Sequence, residues 1–212
     1  VDSSKGQLYH PWRTEAAPGI AVFFRDERLS DLIGFEYAKW HGRDAARHFV
    51  DQLARIRDEA PIGETPLVCV ILDGENAWEY YPENGYHFLR QLYTRLAGHP
   101  QLGLTTMARF LADKSPKPAH AEKLVAGSWV YGTFSTWIGD PDKNRAWELL
   151  VEAKNTFDEQ LALGKLSPET ITAAEQQLAI CEGSDWFWWF GTYNPAATVS
   201  QFDQLYRMHL AN

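Results

Sequence analysis

The sequence predicts an α/β fold with parallel strands in residues 1–126, followed by a mainly helical region in residues 127–212. Three observations predict it. Two short continuous apolar runs, Ile20 to Phe24 and Leu67 to Leu72, have the form of parallel strands buried on both faces. Segments with helical spacing alternate with these runs, as strand–helix units of a parallel sheet require. After Gly139 the strand signals stop and helical periodicity alone continues.

The elements follow in order. Beyond Ile20–Phe24, a helix is expected from Asp44 to about Asp58, with Phe49, Leu53 and Ile56 on one face. Pro61, Gly63 and Pro66 punctuate a loop before LVCVIL (67–72), the clearest strand. Asn84 is placed to cap the next helix, with Leu89, Leu92, Tyr93 and Leu96 facing inward and Gly98 as its stop. Gln101 to Thr105 reads as a third strand, leading into a short helix over MARFLAD (107–113), and KSPKPAH (114–120) reads as a loop. In the second region, Asn144 to Leu163 carries Trp147, Leu150, Val151, Phe157 and Leu161 at helical spacing and ends at Gly164. Ser167-Pro168-Glu169 restarts a helix with a cap, a first-turn proline and an acid. Thr198 and Gln201 have capping-box spacing for a last helix. Three parallel strands cannot close a barrel, and an open three-stranded sheet leaves two unpaired edges. With no initiator methionine and a last residue inside a predicted helix, the sequence is expected to continue in both directions.

Composition narrows the partners. The net charge of −8, from 28 acidic and 20 basic residues, disfavours a nucleic-acid or anionic-membrane surface. No apolar run approaches the roughly 20 residues that span a bilayer, and the first residues have no secretory pattern. Cys69 and Cys181 offer neither metal-ligand spacing nor a disulfide framework, so both read as buried thiols in a reducing, cytoplasmic compartment. No cofactor or metal is expected. Nine Trp, nine Tyr and eleven Phe make the chain 14% aromatic, and flat rings match the C–H faces of sugars. Most of these rings are expected to fill the core.

Asp73 and Glu75 stand at the C-terminal end of the clearest strand, the end where α/β barrels place their active sites. Nearby Trp78, Tyr80 and Tyr81 would desolvate a carboxyl group and raise its pKa, which suits a general acid. Against this stands the reading that Asp-Gly is only a turn.

DGENAWEYY (73–81) after an apolar strand resembles the fourth conserved region of glycoside hydrolase family 57. GSWVYGTFSTWIGDPDKNRAW (127–147) is similar to the fifth region, and EGSDWFWWFG (182–191) and FFRDERLSDLIGFEY (23–37) resemble further family segments, in the family's order. The resemblance implies the last strand–helix units of a (β/α)7-type barrel followed by a helical bundle domain. It implies a retaining hydrolase or transferase of α-glucans or maltooligosaccharides, with Asp73 as acid/base and Glu75 beside it touching or orienting the sugar. The Glu nucleophile would lie in an upstream part of the catalytic domain. Trp78 and the 127–137 loop would line the site, with Trp129 and Trp137 as sugar platforms and Ser128 as a hydrogen-bond donor; packing is the competing role for each Trp. Asp26, just past the first apolar run, is the best internal second carboxylate, with a binding or structural role favoured over catalysis. Asp185 is favoured as a buried anchor, Asp31 as a cap, and His41 and His48 as packing residues rather than metal ligands. His87 could reach the site. A non-catalytic or degenerate glucan-binding fragment is the alternative function.

Overall fold

The computed structural model describes residues 8–74, 77–113 and 118–211. The chain divides into two compact units, one extending to Leu124 and one starting at Val125. Each has its own apolar core.

The first unit opens with strands β1 (Trp12–Thr14) and β2 (Ala17–Val22), paired antiparallel with Trp12 opposite Val22 and Thr14 opposite Ala17. Strand β3 (Ala119–Ala121) lies parallel to β1 on its other side, giving the order β2-β1-β3. The run Ile20–Phe24 is therefore not a buried parallel strand. Only Glu15 and Ala16 separate β1 from β2, and so short a connection can only return the chain antiparallel. β2 becomes an edge strand, with Ile20 62% exposed. Beyond it, Arg25 forms one parallel bridge with Cys69, and Asp26 N–H donates to the Cys69 carbonyl at 2.7 Å.

That bridge is the only strand pairing of Leu67–Leu72 among the described residues. The segment is nonetheless extended, with Val68, Val70 and Leu72 on alternate positions packed against the core. Gln101–Thr105 is irregular rather than a strand, with no ladder partner among the described residues; Leu102 packs on the core and Leu104 is exposed. Residues 114–117 of the expected KSPKPAH loop lie outside the described residues, and Ala119 and His120 belong to β3.

Helix α1 (Glu27–Asp31) runs into a π-type turn over Leu32–Glu36 and a short 3-10 turn over Tyr37–Lys39. Helix α2 (Gly42–Glu59) buries Ala45, Ala46, Phe49, Val50 and Ile56, close to the expected face. It packs on α3 (Tyr86–Ala97), which buries Phe88, Leu92 and Leu96; Tyr93, expected inside, is 56% exposed. A side chain at Gly42 would put its Cβ 2.9 Å from the Phe88 amide nitrogen, so glycine sets how closely α2 and α3 approach. Asn84 does not cap α3. It and Glu83 take left-handed φ values of 50° and 51°, and Gly85 at 79° forms the cap position. Helix α4 (Met107–Ala112) is capped by Thr106, whose Oγ1 accepts from Arg109 N–H at 3.2 Å.

The second unit holds α5 (Pro141–Ala162), α6 (Pro168–Cys181), α7 (Ser184–Trp189) and α8 (Ala196–Ala211). Asp140 caps α5, and Ser167 caps α6 by accepting from Thr170 N–H at 3.2 Å, as the Ser-Pro-Glu signal requires. Gly164 turns the chain between them at φ 63°. Helix α8 starts before the expected Thr198 cap, with Val199 N–H donating to the Pro195 carbonyl at 3.0 Å. Leu150, Phe187 and Tyr206 anchor the core, and Trp147 stacks on Phe187 with ring centroids 3.6 Å apart. Val151 and Leu161 of α5, expected on the inner face, are exposed. Instead Lys143 is fully buried one turn before Ala146 and Trp147. Cys69 and Cys181 are both buried free thiols, one in each unit.

Two predictions follow from this packing. At Gly85 an added Cβ would meet the Trp78 ring at 2.8 Å and face a positive φ. Gly85→Ala should lower the unfolding free energy by about 2 kcal/mol or more, read as a shifted urea midpoint. The second concerns alkaline stability. Burial pushes the phenol of Tyr37 up to about 12 from its ordinary 10.0, and pushes Tyr81 in the same unit and Tyr206 in the second unit higher still. Ionising these phenols is harder folded than unfolded, so their share of stability is whole below about pH 10 and is lost as pH rises through the folded values. Urea midpoints should be flat up to about pH 10 and fall beyond it.

Candidate active site

The bridge between Arg25 and Cys69 fixes where the carboxylates stand. In that register Asp26 is level with Val70, three residues before Asp73, or roughly 10 Å along the chain at about 3.3 Å per residue. A retaining pair needs carboxyl groups about 5–5.5 Å apart. Asp26 and Asp73 are not such a pair.

The Asp26 side chain is nearly buried and engaged at both oxygens. Oδ1 accepts from Leu29 N–H at 2.8 Å, capping α1, and Oδ2 accepts from the Tyr9 hydroxyl at 2.7 Å. Its main-chain carbonyl accepts from Ser30 Oγ at 2.7 Å, and Ser30 Oγ in turn accepts from Ile71 N–H at 3.2 Å. Burial and the bond to Asp26 push the Tyr9 phenol well above its ordinary value. Of the two roles open to Asp26 in the sequence, these bonds describe the structural one. Asp31 is not a side-chain cap; it forms an ion pair with Arg25 at 3.6 Å.

Asp73 differs in every respect. It follows directly on Leu72, is exposed, and has no hydrogen bond or ion pair among the described residues. Glu75 lies outside the described residues. The rings expected to desolvate Asp73 are turned away from that task. Trp78 packs inward against Tyr81 and Phe88 at centroid distances of 5.3 and 6.2 Å, over the bare Cα of Gly85. Tyr81 is buried and donates its hydroxyl to the Ile33 carbonyl at 2.5 Å, inside the π-type turn. Tyr80 is 83% exposed. Trp78 and Tyr81 thus tie the 77–81 segment to the core and to the 32–36 turn.

His41 and His48 both have partners within the first unit. His41 caps α2 through Nδ1, and His48 is held between Tyr37 at 2.7 Å and Gln52 at 3.3 Å. Among the described residues no cluster of His, Cys, Asp and Glu could hold a metal ion. His87 stacks edge-on against Tyr86.

In the second unit the 127–139 segment is cinched on itself. Ser128 Oγ shares its one proton between the carbonyls of Val130 at 3.0 Å and Thr133 at 2.5 Å, and accepts from Val130 N–H at 3.1 Å. An added Cβ on Gly127 would overlap the Gly132 carbonyl oxygen, so the loop closes only with glycine there. Its tip is a Val130–Thr133 turn with positive φ at both central residues, 55° at Tyr131 and 66° at Gly132. For tyrosine such a conformation costs about 1–2 kcal/mol. Trp129 is 58% exposed and Tyr131 88% exposed. Trp137 is half-buried, lies 6.1 Å from Trp188 between ring centroids, and accepts from Trp147 Nε1 on its carbonyl at 2.9 Å.

Asp185 is exposed in the first turn of α7, not a buried anchor. The anchoring is done by Lys143, which the sequence reading did not single out. Its Nζ donates to the carbonyls of Phe187 and Phe190, the latter at 2.6 Å, and to the Tyr193 hydroxyl at 2.7 Å. It thereby satisfies carbonyls at the end of α7 that would otherwise lack donors. Its place at 143, beside Ala146, Trp147 and Leu150 in the same helical stripe, was the available signal.

Comparison with known proteins fixes the lineage. The glycosyl hydrolase family 57 profile matches residues 2–121, more than half of the sequence. The chain belongs to glycosyl hydrolase family 57. Solved structures with the same fold include a family 57 branching enzyme from Thermococcus kodakaraensis, determined in complex with glucose (TM-score 0.72, 18% identity, covering 96% of this chain and 44% of that one). Another is the family 57-type branching enzyme of Pyrococcus horikoshii (TM-score 0.71, 18% identity, covering 99% and 45%). This family 57 chain thus spans less than half the length of either enzyme, and at that identity the likeness is one of α/β fold. No curated protein matches the sequence. Among the described residues no helix is long and apolar enough to cross a membrane.

The bonding of Asp26 generates a prediction. Asp26→Ala removes a helix cap and leaves the Tyr9 hydroxyl without its acceptor. The loss should be about 3 kcal/mol in chemical unfolding, while Asp73→Ala, with no such partners, should shift the midpoint little.

Proposed function

We propose that this chain supplies the acid/base half of a retaining glycosidase or glucanotransferase acting on α-glucans. The observation that carries the proposal is Asp73: an exposed carboxylate at the end of the extended segment that bridges to Arg25, inside the region that matches family 57. The carboxylic acid protonates the leaving glycosidic oxygen, and the resulting carboxylate takes a proton from the incoming water or sugar hydroxyl. A Glu nucleophile on an upstream part of the catalytic domain attacks the anomeric carbon from the opposite face. Because Trp78 and Tyr81 face the core, shielding Asp73 from water is assigned to that upstream chain and to the bound glucan.

In this reading residues 1–126 are the closing part of a (β/α)7-type barrel and residues 127–212 a helical bundle domain, in a cytoplasmic enzyme. Glu75, Trp129 and Trp137 are the sugar contacts. Asp26 and Trp78 hold the framework. The branching-enzyme structures support a glucan substrate; hydrolysis, branching and other transfer differ in which acceptor the site admits.

The proposal is tested with a chain extended upstream to include the nucleophile, given a labelled maltooligosaccharide. Wild type should turn over, and Asp73→Asn should lose at least a thousandfold in kcat at unchanged folding (on the order of 4 kcal/mol). Retained turnover in Asp73→Asn would defeat the assignment. Glucan binding without any turnover in the extended wild type would favour a non-catalytic glucan-binding role.

A further inference from the structure

Tyr131 occupies a position that the fold would fill better with another residue. Val130 and Thr133 close a turn whose two central residues have φ of 55° and 66°. Paired positive φ values are the pattern of a type I′ turn, for which Asn-Gly is the favoured sequence. Gly132 meets that demand and Tyr131 does not. A bulky side chain in the left-handed region is normally offset by packing, yet this ring is 88% exposed. The surrounding bonds hold the strained residue in place: Ser128 Oγ grips the carbonyls on both sides of the turn, and the close approach of Gly127 to Gly132 closes its base. Strain kept in an exposed, over-determined turn is characteristic of residues that contact a ligand.

The neighbours indicate what the ring meets. Trp129, two residues before, is 58% exposed, and Phe134, three residues after, is 47% exposed. Exposed rings held on a fixed loop suit the flat C–H faces of a pyranose, with a tyrosine hydroxyl free to bond a sugar hydroxyl. A neutral polymer also suits a chain of net charge −8, which would repel an anionic one.

We infer that Tyr131 is an additional α-glucan-binding residue, stacking on a sugar unit beyond the one assigned to Trp129. The inference rests on the proposal that this chain acts on α-glucans. It explains why the turn carries Tyr-Gly: the fold tolerates an unfavourable residue because its ring is presented to the ligand.

The test uses the chain extended upstream and compares wild type, Tyr131→Asn, Tyr131→Phe and Trp129→Ala for maltoheptaose affinity by titration calorimetry, with thermal midpoints alongside. Tyr131→Asn restores the preferred turn sequence, so its midpoint should equal or exceed that of wild type while its affinity falls about five- to tenfold. Tyr131→Phe keeps the ring and should bind within about twofold of wild type. Full affinity in Tyr131→Asn overturns the inference; if Trp129→Ala is weakened in the same series, the glucan reading survives and Tyr131 alone is excluded. A wild-type chain that fails to bind maltoheptaose overturns both. A Tyr131→Asn protein with a lowered midpoint would show that the ring is structural and would also overturn the inference.

Discussion

Buried Asp26 ties together three stretches of the first unit, around Tyr9, α1 and Cys69. One oxygen starts α1, the other holds Tyr9, and the residue's own amide donates to Cys69. The carboxylate is stable in this environment because its charge is met by oriented donors. Once those bonds are in place, little freedom is left to the segment from Cys69 onward. Ser30 takes the next available amide, that of Ile71, and Leu67 reaches back to the Tyr9 carbonyl. The point at which Asp73 leaves the unit is therefore set by a residue that stands a few positions below it and never needs to touch a sugar.

The 77–85 segment is held by other means. Tyr81 reaches the carbonyl of Ile33, which the π-type turn of the 32–36 segment presents to it. Trp78 fills the space over Gly85, and the chain passes through three successive left-handed residues, Glu83 to Gly85, to make that space. A second strained turn, at Tyr131 and Gly132, stands in the other unit. Both lie in or next to segments that resemble family regions, and in both a glycine relieves part of the cost.

The helices were legible because their signals are local. Gly98, Gly164 and Ser167-Pro168-Glu169 sit where the sequence puts them, and the apolar stripe of α2 needs no partner to be recognised. The strands were not, because pairing is decided by chain reversal rather than by apolar content. Two residues, Glu15 and Ala16, make Ile20–Val22 the outer part of a hairpin, and Gln101–Thr105 has apolar residues but no strand partner among the described residues. The position of Asp73 after an apolar extended segment could be read directly. The direction in which Trp78 and Tyr81 point could not, since it depends on the φ of Gly85 and on a carbonyl 48 residues away in sequence. Lys143 was hidden by its charge, although its spacing from Ala146 and Leu150 marked it as inward-facing.

The two thiols sit one in each core, Cys69 at 8% exposure and Cys181 at 1%. Burial raises the pKa of both and keeps them in the unreactive protonated form. A thiol reagent can reach either one only when the unit around it opens. Each unit consequently carries its own built-in clock: the labelling rate of Cys69 times the opening of the first, and that of Cys181 the second. Whether the two rates respond together to temperature or glucan would tell whether the units breathe as one body or as two.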